Sequence, residues 1–149
     1  MKFSKMLWMA CSFAALMVFS GCQTSAPAGI VCGREWNPGA QTVADTTSTF
    51  DLKDPLIIQY NYGKGFDFTT LTISFYAGTI EKKINKIWSY SAAVNPKLAS
   101  YTMQGKSKKG GLMTARELTR HKNPGSVVVE FSNGEQVLMA KEITLVKNK

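Results

Sequence analysis

From Pro55 on, runs in which apolar residues fall at every second position dominate the chain, and this period restricts the fold more than any other feature. Leu56, Ile58, Tyr60 and Tyr62 share one parity. Leu71, Ile73 and Phe75 alternate with Thr70, Thr72, Ser74 and Tyr76. Trp88, Tyr90, Ala92 and Val94 form another set, and Val127, Val129 and Phe131 alternate with Val128, Glu130 and Ser132. Successive side chains of a strand point to opposite faces, so each run can lay one face on a core. Gly63-Lys64-Gly65, Asn95-Pro96 and Asn133-Gly134 punctuate the runs as turns. Asn133-Gly134, set between Val127–Ser132 and Val137–Val146, predicts a hairpin because both residues tolerate positive φ. Short strands at roughly ten-residue spacing, with turn residues between them, predict an all-β domain built as a sandwich.

Three segments depart from this pattern. Ile80, Ile84, Ile87 and Trp88 sit at helical spacing, so residues 79–88 read as either a helix or a strand with its turn. Thr114-Ala115-Arg116-Glu117 matches a capping box, in which hydroxyl and carboxylate satisfy the first free amides of a helix. It predicts one or two helical turns ending before Asn123-Pro124-Gly125. Residues 30–49 are ambiguous. Trp36 before Asn37-Pro38-Gly39 suggests an anchoring aromatic and a turn, and Thr46 to Thr49 favour extended chain.

Leu118, Pro124-Gly125, Val127-Val128-Val129-Glu130-Phe131 and the final strand together resemble the closing part of immunoglobulin-like and fibronectin-type-III-like domains. The resemblance covers about the last third of the chain and implies an immunoglobulin-like β-sandwich over residues 41–149. The cysteine pair of true immunoglobulin domains is absent, and so is a tyrosine placed for the usual corner.

The N-terminus has a different character. Lys2 and Lys5 precede an uncharged, mostly apolar run from Met6 to Ser20, and small residues follow. This is the order of a secretory signal, and the run is shorter than the roughly 20 apolar residues of a membrane span. Phe19-Ser20-Gly21-Cys22 resembles the lipobox of bacterial lipoproteins, with Phe19 where an aliphatic residue is usual. The resemblance implies cleavage between Gly21 and Cys22, S-diacylglycerol and N-acyl groups on Cys22, and anchoring to membrane lipid in a bacterial cell envelope. Gln23, in place of the aspartate associated with inner-membrane retention, implies the outer membrane. The expected organisation is therefore a signal at residues 1–21, the lipidated cysteine and a tether at residues 22–40, and the sandwich beyond. Cys11 and Cys32 do not fit a lipobox, because bulky residues precede each.

Removing the signal takes two of 18 basic residues and none of 10 acidic ones, so the formal charge falls from +8 to about +6. Lys106, Lys108, Lys109, Arg116, Arg120 and Lys122 account for most of this excess, with Glu117 the one acidic residue among them. They form a candidate anion-contact patch. A basic patch often meets nucleic acid, but an exported, lipid-held domain instead meets headgroups, anionic polymers or acidic proteins, so no nucleic-acid partner is expected.

The stock for catalysis is thin. With Cys22 lipidated, Cys32 has no partner for a disulfide, and His121 is the sole histidine. Cys32 and His121 are the one thiol–imidazole pair available, and nothing in the sequence brings them together. Asp45, Asp51, Asp54 and Asp67 lie in turn-rich stretches, where turn chemistry explains them. No catalytic set, metal site or cofactor is expected. Trp36, Trp88, Tyr60, Tyr62 and Tyr90 read as core and strand-pair residues more readily than as a ligand groove. The expectation is a non-enzymatic envelope lipoprotein that contacts a protein or anionic component. The alternatives are a small hydrolase or thiol enzyme using Cys32 and His121, and a structural accessory subunit of a membrane assembly.

Overall fold

The computed structural model describes residues 26–148. Cys22, the cleavage site at Gly21 and the sorting residue Gln23 lie outside the described residues. Nine strands follow one another in sequence: β1 (Gly29–Asn37), β2 (Thr42–Thr46), β3 (Thr49–Asp51), β4 (Ile57–Asn61), β5 (Thr70–Gly78), β6 (Lys83–Ala93), β7 (Ser100–Met103), β8 (Gly125–Asn133) and β9 (Gln136–Val146). A five-residue helix, α1 (Ala115–Thr119), separates β7 from β8.

The strands form two sheets, ordered β2-β1-β4-β7 and β3-β9-β8-β5-β6. All neighbours run antiparallel except β3, which lies parallel to the last strand with Thr49 opposite Thr144. This is the sandwich that the period-two pattern predicts. The inward sets are those read from the sequence: Leu56, Ile58 and Tyr60 from one sheet face Leu71, Ile73, Phe75, Val127, Val129 and Phe131 from the other. Tyr60 stacks on Phe131 across the core at 4.7 Å between ring centres. Burial of apolar surface at about 25 cal/mol per Å² is the main force holding the two layers together.

Four features depart from expectation. Strand pairing begins at Gly29, so residues 29–40, assigned to the tether, belong to the domain as β1 and its turn into β2. The ambiguous stretch 30–49 thus holds two strands. Residues 79–88 resolve as a turn, closed by Thr79 N–H to Lys82 C=O at 3.1 Å, leading into β6. Their helical spacing arises because this strand lies at a sheet edge and carries a bulge opposite Phe75 and Tyr76, so strict alternation is lost. Finally, the hairpin joining β8 to β9 turns at Gly134-Glu135, with Asn133 paired to Gln136. Only Gly134 takes positive φ there, at 60°, which suits a turn with glycine first rather than the Asn-Gly type.

β8 shows why alternation alone understates burial. Val128, Glu130 and Ser132 point away from the core, yet all are buried. β5 and β9 flank this central strand, and Lys83 forms an ion pair with Glu130 while lying over the ring of Tyr76.

Candidate functional site

The capping box is formed as the sequence indicates. Thr114 Oγ1 accepts from Glu117 N–H at 3.3 Å, and a Glu117 carboxylate oxygen accepts from Thr114 N–H at 2.9 Å. The other leading amides of α1 are also satisfied, Ala115 by the Asp54 carbonyl at 2.7 Å and Arg116 by the Leu52 carbonyl at 3.2 Å. The helix is thereby tied to the chain between β3 and β4, and its buried Ala115 and Leu118 plug the flank between the two sheets.

α1 closes this flank only in part. A cleft of about 220 Å³ remains where β6, the last strand of one sheet, faces β7, the last strand of the other. Trp88 and Tyr90 form one wall, the run Tyr101 to Gly105 the opposite wall, and Met113 and Leu118 line it as well. Trp88 is fixed on three sides. The Phe75 ring stacks on it at 5.4 Å, its Nε1 donates to the Leu118 carbonyl at 3.1 Å, and the Arg120 guanidinium lies 4.1 Å over its ring. Tyr90 is 47 % exposed. Burial, with Tyr90 adding to it, pushes the Tyr101 hydroxyl pKa up, so it remains a neutral donor. Trp88 and Tyr90 thus line a groove rather than serving purely as core, which corrects the expectation for these two. Tyr60 is core, Tyr62 stacks on Phe66 at 5.5 Å, and Trp36 is half-buried opposite Val43.

Arg120 adopts a left-handed backbone, φ 57° and ψ 16°, at the end of α1. Glycine is the usual residue there because a side chain costs energy in that region. Here the position instead holds an arginine packed on tryptophan at the mouth of the cleft. All six residues of the basic patch are exposed. Arg116, Arg120 and Lys122 line one open concavity beside the cleft, and Lys109 joins Arg116 and Lys53 around a second. Lys106 and Lys108 sit on the adjoining 105–113 loop, where Lys106 bridges to Leu112, and line neither. None of the six makes an ion pair among the described residues. Glu117, the one carboxylate within the patch, is engaged by Thr114 and by Ser107 Oγ at 3.0 Å, and these bonds hold its pKa below the usual carboxylate range.

Cys32 lies in β1 facing the core at 1 % exposure. Burial pushes its thiol up to about 11, with Lys141 opposing weakly. Such a thiol is not a nucleophile at neutral pH. His121 follows α1, its N–H bonded to Thr119 Oγ1, and no hydrogen bond joins it to Cys32. The acidic residues serve local geometry. Arg34 holds Asp54 at 2.9 Å and Asp45 at 3.1 Å. Asp51 accepts from the Asn148 and Lys53 amides, which hold its pKa down. Asp67 accepts from Tyr62 and Lys64. Among the described residues no three or more His, Cys, Asp or Glu are grouped to hold a metal.

The fold has a counterpart among solved structures. An immunoglobulin-like protein from Pseudomonas aeruginosa superposes with a TM-score of 0.50 over 80 % of this chain and 93 % of its own, at 16 % identity. The domain is an immunoglobulin-like β-sandwich. No family model and no curated protein matches the chain.

Sequence reasoning found the cations and the capping box but missed Tyr101, Met103, Met113 and Lys53. The first three belong to a four-residue strand and a loop end too short to show a period. Lys53 reaches the patch only because α1 docks on its segment.

Proposed function

We propose that this chain is a non-enzymatic binding module of a bacterial envelope, anchored through lipid on Cys22, with its contact surface on the face around α1. The observation that carries the reading is the set of exposed cations, none in an ion pair among the described residues, beside an aromatic cleft. Arg116, Arg120 and Lys122 line one concavity and Lys109 joins Arg116 in a second, and Glu117, the carboxylate that lines both, is already committed to the helix cap. A surface of this kind attracts an acidic protein or an anionic polymer at short range, since at physiological salt the field reaches about 8 Å. The lipobox at Phe19–Cys22 supports the anchor, and Gln23 supports an outer-membrane address. Two or more acyl chains hold a protein firmly where one does not.

Two measurements test the reading. Cys22→Ser should move the protein from the membrane to the soluble fraction, and a variant that still sediments with membranes removes the anchor from this account. Neutralising Lys109, Arg116 and Arg120 together should abolish salt-sensitive retention on anionic ligands by the detergent-solubilised protein. Unchanged retention would reduce the patch to a solvated surface.

A further inference from the structure

The geometry points to a specific occupant for the cleft: a short, extended, acidic polypeptide segment that adds to the free edge of β7 and sets one apolar side chain between Trp88, Tyr90 and Tyr101. The inference rests on the binding-module reading and names its partner class. It begins from the wall of the cleft. Tyr101, Thr102, Met103, Gln104 and Gly105 line it in unbroken succession. Alternate residues of a strand face opposite ways, so five consecutive residues line one space only if the backbone edge itself forms the wall.

The ladder phase identifies which groups are free. Tyr62 N–H donates to the Ala99 carbonyl at 2.8 Å, and in the same register Tyr60 pairs with Tyr101 and Ile58 with Met103. In an antiparallel ladder these residues bond to β4, and the intervening Ser100 and Thr102 turn N–H and C=O to the open side. The other three sheet edges are guarded. β2 carries Asp45, β3 is three residues long and carries Asp51, and β6 carries Lys83 and Lys86. β7 carries no charge. Exposed edges are normally protected by charge, by brevity or by bulges, because they template strand addition.

Size and charge complete the description. A cleft of about 220 Å³ falls below the roughly 300–1,000 Å³ of ordinary small-molecule sites. It suits one anchoring side chain of a longer partner, the arrangement in which buried aromatic contacts carry most of the affinity. Arg120 stands at its mouth, and Arg116 and Lys122 line the adjoining concavity, none in an ion pair among the described residues, while Glu117, which lines both spaces, is held by Thr114 and Ser107. Carboxylates flanking the anchor would meet these cations.

The test uses the full, detergent-solubilised chain and a fluorescent, end-capped octapeptide that alternates valine and glutamate around a central leucine. A twin peptide is N-methylated on its strand-pairing amides, and phosphatidylglycerol vesicles serve as the competing anionic surface. The peptide should bind and slow amide exchange at Thr102. N-methylation should weaken binding by at least about tenfold. So should Thr102→Pro, which removes only an outward-facing N–H at an edge position where proline is tolerated. Arg116→Gln with Arg120→Gln should weaken binding about tenfold and flatten its salt dependence. Because N-methylation alters only the ligand, it decides the question even if Thr102→Pro fails to fold. Peptide binding indifferent to N-methylation overturns the inference. So does self-association of the chain that Thr102→Pro abolishes, which would make a second copy the occupant. Arginine-dependent binding of vesicles without the peptide overturns it while leaving the binding-module reading intact, and binding of neither probe overturns both.

Discussion

The middle of the larger sheet and the flank between β6 and β7 are closed in different ways. β8 is buried on both faces: Val127, Val129 and Phe131 fill the interior, and Val128 and Glu130 are covered from outside by neighbouring side chains. At the flank no strand continues either sheet, and the gap is filled by a five-residue helix and a tryptophan, leaving Tyr90 half exposed. The first region is held by ladders and packing on every side. The second is held by a few point contacts, namely a capping box, an indole hydrogen bond and an arginine stacked on a ring. The contrast separates the part of the molecule that supplies stability from the part that leaves chemistry accessible.

Truncation in the first region should cost most. Phe131→Ala removes a fully buried ring stacked on Tyr60, and a loss of about 3–5 kcal/mol in urea unfolding is expected. A loss below 1 kcal/mol, on the order of a surface substitution, would break the comparison. Trp88→Ala in the second region should cost about 2 kcal/mol, because the ring is only half-buried and part of its contact is with Arg120. The same variant should increase the mobility of Arg120, readable as altered guanidinium resonances. Thr114→Ala removes the hydroxyl half of the cap and should cost about 1 kcal/mol, with the loss of amide protection confined to residues 114–120. Global loss of protection would mean that the helix is integral to the core rather than a plug.

The smallest effect is expected from acid. Bonds from the Asn148 and Lys53 amides depress the Asp51 pKa, and bonds from Thr114 and Ser107 depress that of Glu117. A carboxylate whose folded pKa lies below its unfolded value of about 4 stabilises the fold above that value. That contribution is lost as pH falls through the folded pKa. The melting temperature should therefore decline below about pH 4, and Asp51→Asn and Glu117→Gln should each make the decline shallower.

Much of the fold was legible because its causes are local. The parity of Leu56, Ile58 and Tyr60, or of Val127, Val129 and Phe131, announces both strand and inward face. The capping box needs only four consecutive residues. Legibility failed where a residue's surroundings come from distant chain. The edge position of β6 erases the alternation at residues 79–88, and β1 reads as tether because Gly29–Asn37 carries no clean period of its own.

The candidate site divides in the same way. The sequence by itself determined the strand periodicity, the helix cap and the cluster of cations, each written in neighbouring residues, as is the resemblance of Phe19–Cys22 to a lipobox. Tertiary structure alone decided that Trp88 and Tyr90 would face Tyr101 and Met103, that Arg120 would lie on Trp88, and that β7 would end its sheet. Periodicity fixes which way a side chain points along its own strand. Which strand is left unpaired depends on how all nine compete for partners, and no local pattern records that.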